Sequence, residues 1–199
     1  MVKIKICGIK RFEDIEIVNR YKPDYIGFVF AKSKRKVSPD FASKLKNKLN
    51  SDILAVGVFV DADENEILKL YDKGIIDMAQ LHGNESEEYI LSLKEKTDYK
   101  LKIINAIEMH ENIDLTIYNN SNADYLLFDS GKGSGITFDW NLIGKNLDKE
   151  FFIAGGLDIS NIPLVIDEFN PYGVDLSSSL EIDGVKDENK IKEIIEVIK

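Results

Sequence analysis

The sequence predicts an α/β fold: a single (β/α)8 TIM barrel, short for its kind, occupying residues 1–199 as one domain. Three observations predict it. Short runs rich in β-branched and aromatic residues recur along the chain, nearly continuous in apolar residues, as strands buried on both faces are. Stretches with helical spacing lie between them, and strict alternation implies a parallel sheet with right-handed crossovers. No linker, low-complexity tract or shift in composition divides the chain. Eight such units, with a mean repeat of about 25 residues, point to a closed barrel trimmed beside the usual ~250 residues.

The strand runs are 3–9 (KIKICGI), 25–30 (YIGFVF), 54–60 (LAVGVFV), 78–82 (MAQLH), 100–107 (KLKIINAI), 125–129 (YLLFD), 151–154 (FFIA) and 173–177 (GVDLS). After the first, Ile15, Val18 and Tyr21 share one helical face. Ser38 before Pro39 and Asp40 reads as a capping serine with proline at the first helical position. Ile67, Leu68 and Tyr71 mark the third helix, and Ser86-Glu87-Glu88 opens the fourth. The segment 111–122 (ENIDLTIYNNSN) is polar at both ends, which predicts a fifth helix that is short or replaced by a loop. Ser160-Asn161 opens the helix after the seventh strand, and Ile191, Ile194, Ile195 and Ile198 share one face of the last.

Composition narrows the function. With 44% apolar and 31% charged residues the chain is ordinary for a soluble globular protein, and no stretch approaches the roughly 18 apolar residues of a membrane span. Lysines at 3, 5 and 10 interrupt the first apolar run, so it is not a signal-peptide core. With one cysteine, which makes no intramolecular disulfide, the cytoplasm is the expected location. A net charge of −9 argues against a nucleic-acid surface, and no membrane partner is expected. An anionic small molecule stays compatible, because helix N-termini and a few local cations suffice to hold it. Only Arg11, Arg20 and Arg35 are arginines among 26 basic residues, so a planar carboxylate or phosphate clamp has few candidates.

In a barrel of this type the chemistry sits at the C-terminal ends of the strands. Cys7 ends the first strand as either a small buried hydrophobe or a reactive thiol. Arg35, in the basic loop after the second strand, is either a solvated charge or an anion clamp. Gln80 and His82 end the fourth strand, the latter read as a satisfied strand-end histidine rather than a metal ligand. Asp129 ends the sixth as either a capping or salt-bridged carboxylate or a general acid. Its neighbours Leu126, Leu127 and Phe128 supply a desolvated setting that favours a proton-holding carboxyl. Gly155-Gly156, with the serine block at 177–179 on the next strand, reads as a phosphate cradle in which glycine lets backbone N–H groups approach the anion. The alternative is a plain tight turn. Gly131-Lys132-Gly133-Ser134-Gly135 could close over a ligand or merely turn the chain.

KICGI at 5–9, KSKRKVSP at 32–39, VGVFVD at 56–61, QLHG at 80–83, FDS at 128–130, AGGL at 154–157 and VDLSSSLE at 174–181 resemble, in order and spacing, the phosphoribosylanthranilate isomerase family of tryptophan biosynthesis. The resemblance spans essentially the whole chain. It implies an aldose–ketose isomerase, without a cofactor, that acts on a small phosphorylated substrate by an Amadori rearrangement. Carried across residue by residue, it makes Cys7 the general base and Asp129 the general acid. Arg35 would hold the substrate carboxylate, Gln80 and Asp175 would face the sugar, and Gly155, Gly156, Ser178 and Ser179 would bind phosphate. Gly8 would clear space beside the substrate. A monomer is the expectation, with a homodimer as the alternative.

Two departures stand out. The loop after the sixth strand, commonly GGxGK, reads GKGSGI with Ile136 in place of lysine, and the strand-eight block ends SSS where SSG is common, which puts the Ser179 side chain near the phosphate. The rival readings are a barrel that binds a phosphorylated ligand without turnover and the related histidine-pathway aminosugar isomerase, which uses paired aspartates where this chain has Cys7.

Overall fold

Eight parallel strands close into a barrel in the computed structural model, which describes residues 1–111, 113–130, 139–143 and 147–199. They are β1 (Lys3–Cys7), β2 (Tyr25–Val29), β3 (Leu54–Phe59), β4 (Met78–Leu81), β5 (Lys102–Glu108), β6 (Tyr125–Asp129), β7 (Phe151–Ile153) and β8 (Gly173–Leu176). Each pairs with its sequence neighbour, and β1 closes on β8 with Lys5 opposite Asp175. Helices α1 (Phe12–Tyr21), α2 (Pro39–Lys46), α3 (Glu64–Asp72) and α4 (Glu87–Lys96) follow the first four strands. Helix α5 (Ile162–Phe169) follows β7, and α6 (Glu188–Ile198) ends the chain.

Alternation along the strands sorts the side chains into two cores. Residues such as Ile4, Ile6, Ile26, Phe28 and Phe128 point outward and pack against the helices, all wholly buried. Their neighbours in sequence point inward. Tyr25, Val56, Met78, Ile104, Leu127 and Phe152 fill the barrel, so its interior is packed rather than open. Above them Cys7, Val29 and Val58 form a small apolar patch near the mouth. The same parity that buries Ile4 and Ile6 sends Lys5 and Cys7 inside.

The lower rim is tied by a repeated device. Asp24, Asp77 and Asp124 each directly precede an even-numbered strand, and each accepts a hydrogen bond from a backbone N–H of the strand before: Ile4, Ala55 and Ile103, at 3.0, 2.7 and 2.9 Å. Each carboxylate also holds lysine: Lys3 on Asp24, Lys46 on Asp77, Lys94 and Lys102 on Asp124. Burial alone would raise Asp124, but Lys102, Lys94 and the Ile103 amide outweigh it and hold the carboxyl below its usual value of 3.8. Removing the carboxylate strands the buried Lys94 ammonium. Asp124→Ala should therefore cost about 2 kcal/mol at pH 7, allowing for solvent screening of a partly exposed cluster. Because the folded-state value is depressed, this contribution is present above pH 3.8 and is lost as pH falls below it. Urea titrations of both proteins at pH 7 and pH 3 check both the size and the sign.

The helix starts read from sequence hold at Ser38 and Ser86, whose hydroxyls accept from the N–H of Phe41 and Tyr89. After β7 the cap residue is Asn161, with proline in the first turn and no side-chain cap bond. The fifth helical segment is reduced, as its polar ends predicted, to a 3-10 helix over Leu115–Asn120. Of the sixth helix-like segment the described residues include a 3-10 turn, Trp140–Leu142. After β8 a 3-10 turn, Ser178–Leu180, leads into a hairpin of β9 (Glu181–Ile182) and β10 (Val185–Lys186). Its turn, Asp183-Gly184, has both residues at positive φ, as a type I′ hairpin turn requires.

Candidate active site

Strand parity brings Cys7 from β1, Gln80 and His82 from the end of β4, Asp129 from β6 and Asp175 from β8 to the mouth. Below Cys7, on the same face of β1, the wholly buried Lys5 places Nζ 2.8 Å from Asp175 Oδ2. Burial alone would pull Lys5 down, but Asp175 and Cys7 outweigh it and hold the ammonium above its ordinary value. On Cys7 burial wins: desolvation pushes the thiol up against the opposing pull of Lys5 and Lys186.

Two glycines make room around this corner. Gly27 pairs with Cys7 across β1 and β2, and a Cβ there would lie 2.7 Å from the sulfur. Gly8 has φ +86°, and a Cβ there would meet Arg35 Cδ at 2.4 Å. The space that Gly8 clears is occupied by the Arg35 side chain. Arg35 grips Glu181 through Nε at 2.6 Å and Nη2 at 2.8 Å. Lys186 Nζ meets the same carboxylate at 2.9 Å and the Ser177 carbonyl at 2.8 Å. Burial alone would raise Glu181, yet Arg35 and Lys186 bring it down to about 2.

Asp129 lies beside His82, with Nε2 3.3 Å from Oδ2, and His82 Nδ1 is 3.3 Å from Gln80 Nε2. A neutral imidazole with Nδ1 unprotonated accepts from the Gln80 amide. Gln80 Oε1, Asp175 Oδ1 and Ser130 Oγ are buried without a hydrogen-bond partner among the described residues. Buried polar atoms are normally satisfied, so three such atoms about one mouth mark positions suited to ligand hydroxyls.

Gly155 and Gly156, just past β7, both have positive φ, +78° and +65°. The turn is fixed by Asn161, which donates to the Gly156 carbonyl and accepts from the Asp158 N–H, both at 2.9 Å. A Cβ on Gly155 would fall 2.4 Å from Ser130 Oγ, 2.7 Å from the Ser130 nitrogen and 2.9 Å from Asp129 Oδ1. Gly155→Ala should therefore both strain the turn and displace Asp129. Expected is a loss of about 2 kcal/mol in chemical denaturation relative to wild type. Ser178 and Ser179 lie in the 3-10 turn that follows β8. The Ser179 side chain lines a groove of about 230 Å3 with Asp158, Ser160 and Lys190. The loop 131–135 and Ile136 lie outside the described residues.

The mouth is electrically divided. Lys5, Arg35 and Lys186, set against the carboxylates of Asp175 and Glu181, leave one positive charge in excess near β8, β1 and β2, whereas Asp61, Glu85 and Glu108 line, with His82, a cavity of about 500 Å3 over β3 to β5. An anionic ligand is favoured on the first side. Sequence reading missed Gly27, Lys5 as a partner of Cys7, and the pair Glu181 and Lys186. Parity along KIKIC places Lys5 beside Cys7, and the Asp-Gly turn signal flanked by Glu181 and Lys186 marks the hairpin. Among the described residues no group of three or more His, Cys, Asp or Glu is placed to hold a metal, and no helix is long and apolar enough to cross a membrane.

Fold and mouth together define a (β/α)8-barrel enzyme with its ionisable groups ringed at the C-terminal ends of the strands. Residues 4–197 match the family described as N-(5'phosphoribosyl)anthranilate (PRA) isomerase, and the chain belongs to that family. The N-(5'-phosphoribosyl)anthranilate isomerase of Clostridium acetobutylicum is 46% identical over 203 residues, covering 98% of this chain and 97% of that protein. The crystal structure of phosphoribosyl anthranilate isomerase from Thermus thermophilus gives a TM-score of 0.89 at 28% identity, covering 99% of this chain and 98% of that one. A further phosphoribosyl anthranilate isomerase, solved in complex with reduced 1-(o-carboxyphenylamino)-1-deoxyribulose 5-phosphate, gives 0.84 at 33% identity, covering 98% and 97%.

Proposed function

We propose that the chain converts N-(5-phosphoribosyl)anthranilate to 1-(o-carboxyphenylamino)-1-deoxyribulose 5-phosphate, the family's step in tryptophan biosynthesis, with Asp129 as general acid and Cys7 as general base. The observation that carries the role assignment is their placement: one ends β6 and the other ends β1, with β7 and β8 between them around the ring. A sugar lying over β7 and β8 would have one group on each side.

Asp129 gives its proton to the ribose ring oxygen as the C1′–O bond breaks, leaving an open-chain iminium. The iminium acidifies C2′–H, so the Cys7 thiolate takes that proton and the electron pair moves to form the enolamine. The enolamine tautomerises to the ketose, and exchange with solvent returns Cys7 and Asp129 to their starting states. Lys5 stabilises the thiolate electrostatically. Burial raises the thiol, which lowers the thiolate fraction but makes the thiolate a stronger base toward carbon.

Asp175 Oδ1 and Gln80 Oε1 receive sugar hydroxyls, Arg35 receives the anthranilate carboxylate, and the Gly155-Gly156 turn with Ser178 and Ser179 receives the phosphate. The reading goes with one barrel domain, a cytoplasmic location and a monomer, the last checked by sedimentation. Genetic complementation tests the function: the chain should restore growth without tryptophan to a bacterium lacking this isomerase, and Cys7→Ser should not. Wild type that fails to complement while well expressed contradicts the reading.

A further inference from the structure

The guanidinium expected to meet the substrate carboxylate already holds a carboxylate of its own. Glu181 takes the Nε–Nη2 edge of Arg35, both bonds short, and leaves the Nη1 side of the fork outside that contact. Glu181 is itself fixed. Lys186 holds it at 2.9 Å, Lys190 Nζ bonds its carbonyl at 3.1 Å, and it opens a hairpin closed by a tight two-residue turn. The Arg35 side chain passes over Gly8, where no Cβ fits, so the stem is confined while Glu181 sets the plane of the head. The Glu181 side chain is 9% exposed and Arg35 23%, so the pair sits at the rim of the mouth with the arginine outermost. Two cations and one anion leave the cluster net positive.

We propose that Glu181 is a positioning residue for the known reaction: it orients Arg35 so that the second edge of the guanidinium faces the substrate's aromatic carboxylate, and thereby sets selectivity for a carboxylated aminosugar. This rests on the functional reading above. A bidentate fork is useful only when its plane is fixed, since the hydrogen bonds of a guanidinium are directional. The opposite role for the same residue is a competitor that masks Arg35 until substrate displaces it. The two predict opposite signs, because removing a competitor tightens carboxylate binding and removing a positioner loosens it.

The test compares two ligands in each protein: the reduced product analogue and its aniline counterpart, identical but without the carboxylate. Calorimetry on wild type should give about a tenfold preference for the carboxylated ligand, the size of one charge-assisted contact. In Glu181→Gln the preference should fall to within about threefold, with KM raised and kcat little changed. Because the readout is a ratio within one protein, partial loss of active molecules does not disturb it. Arg35→Ala should show the same reduced preference, and the double variant no further loss. An unchanged ratio in Glu181→Gln, or a larger one, overturns the proposal. Wild type that neither turns over the substrate nor binds the analogue overturns the functional reading instead.

Discussion

Cys7→Ser should lower kcat about a thousandfold while binding of the reduced product analogue stays within about threefold, the range expected on losing a general base from an otherwise intact site. Serine fits the space left by Gly27, so the loss is chemical rather than steric. Its hydroxyl holds its proton far more tightly than a thiol, and no alkoxide forms to accept the C2′ proton. The pH dependence carries a sign. Burial pushes the Cys7 thiol up, so activity governed by the thiolate should still climb with pH through the ordinary thiol range near ~8.5. Lys5→Met removes the nearest opposing pull. The iodoacetamide alkylation profile of the free enzyme should then shift to higher pH, and kcat should fall with it. An alkylation midpoint unmoved by Lys5→Met would make Lys5 a structural partner of Asp175 and nothing more.

Asp129→Asn should reduce kcat by about three orders of magnitude, because an amide has no acidic proton to give as the ring oxygen leaves. Asparagine is nearly isosteric with aspartate, so the 3.3 Å approach to His82 Nε2, and with it the local geometry, is kept. Binding of the reduced product analogue should be nearly unchanged, which separates lost catalysis from lost structure. Fluorescence titration with that analogue, alongside single-turnover rates, gives both numbers. A variant that binds the analogue and also turns over at a tenth of the wild-type rate or better would remove Asp129 from the role of acid.

The architecture was legible because strand and helix periodicity carry it. A run such as YIGFV reads as a strand, and its parity places Ile26 and Phe28 outside and Tyr25, Gly27 and Val29 inside. The weak fifth helix announced itself through polar ends. Residues that cap or end a strand, such as Cys7 and Asp129, were accessible from the rule that barrel chemistry sits at strand C-termini. What sequence reading missed were pairings across long chain separations. Lys5 meets Asp175, 170 residues away, only because β1 closes on β8 in one register. Arg35 meets Glu181, 146 residues away, through a hairpin whose Asp-Gly turn was visible but whose partner was not. The rim aspartates before β2, β4 and β6 form a pattern that is plain once the strands are known and silent before.

The most direct measurement follows the fluorescence of phosphoribosylanthranilate generated in place from anthranilate and phosphoribosyl pyrophosphate. The wild-type chain should remove that fluorescence rapidly, in proportion to enzyme concentration, with the ketose phosphate as product. Loss no faster than spontaneous decay, in protein that still binds the reduced product analogue, would contradict the account and leave a barrel that binds the ligand without turning it over.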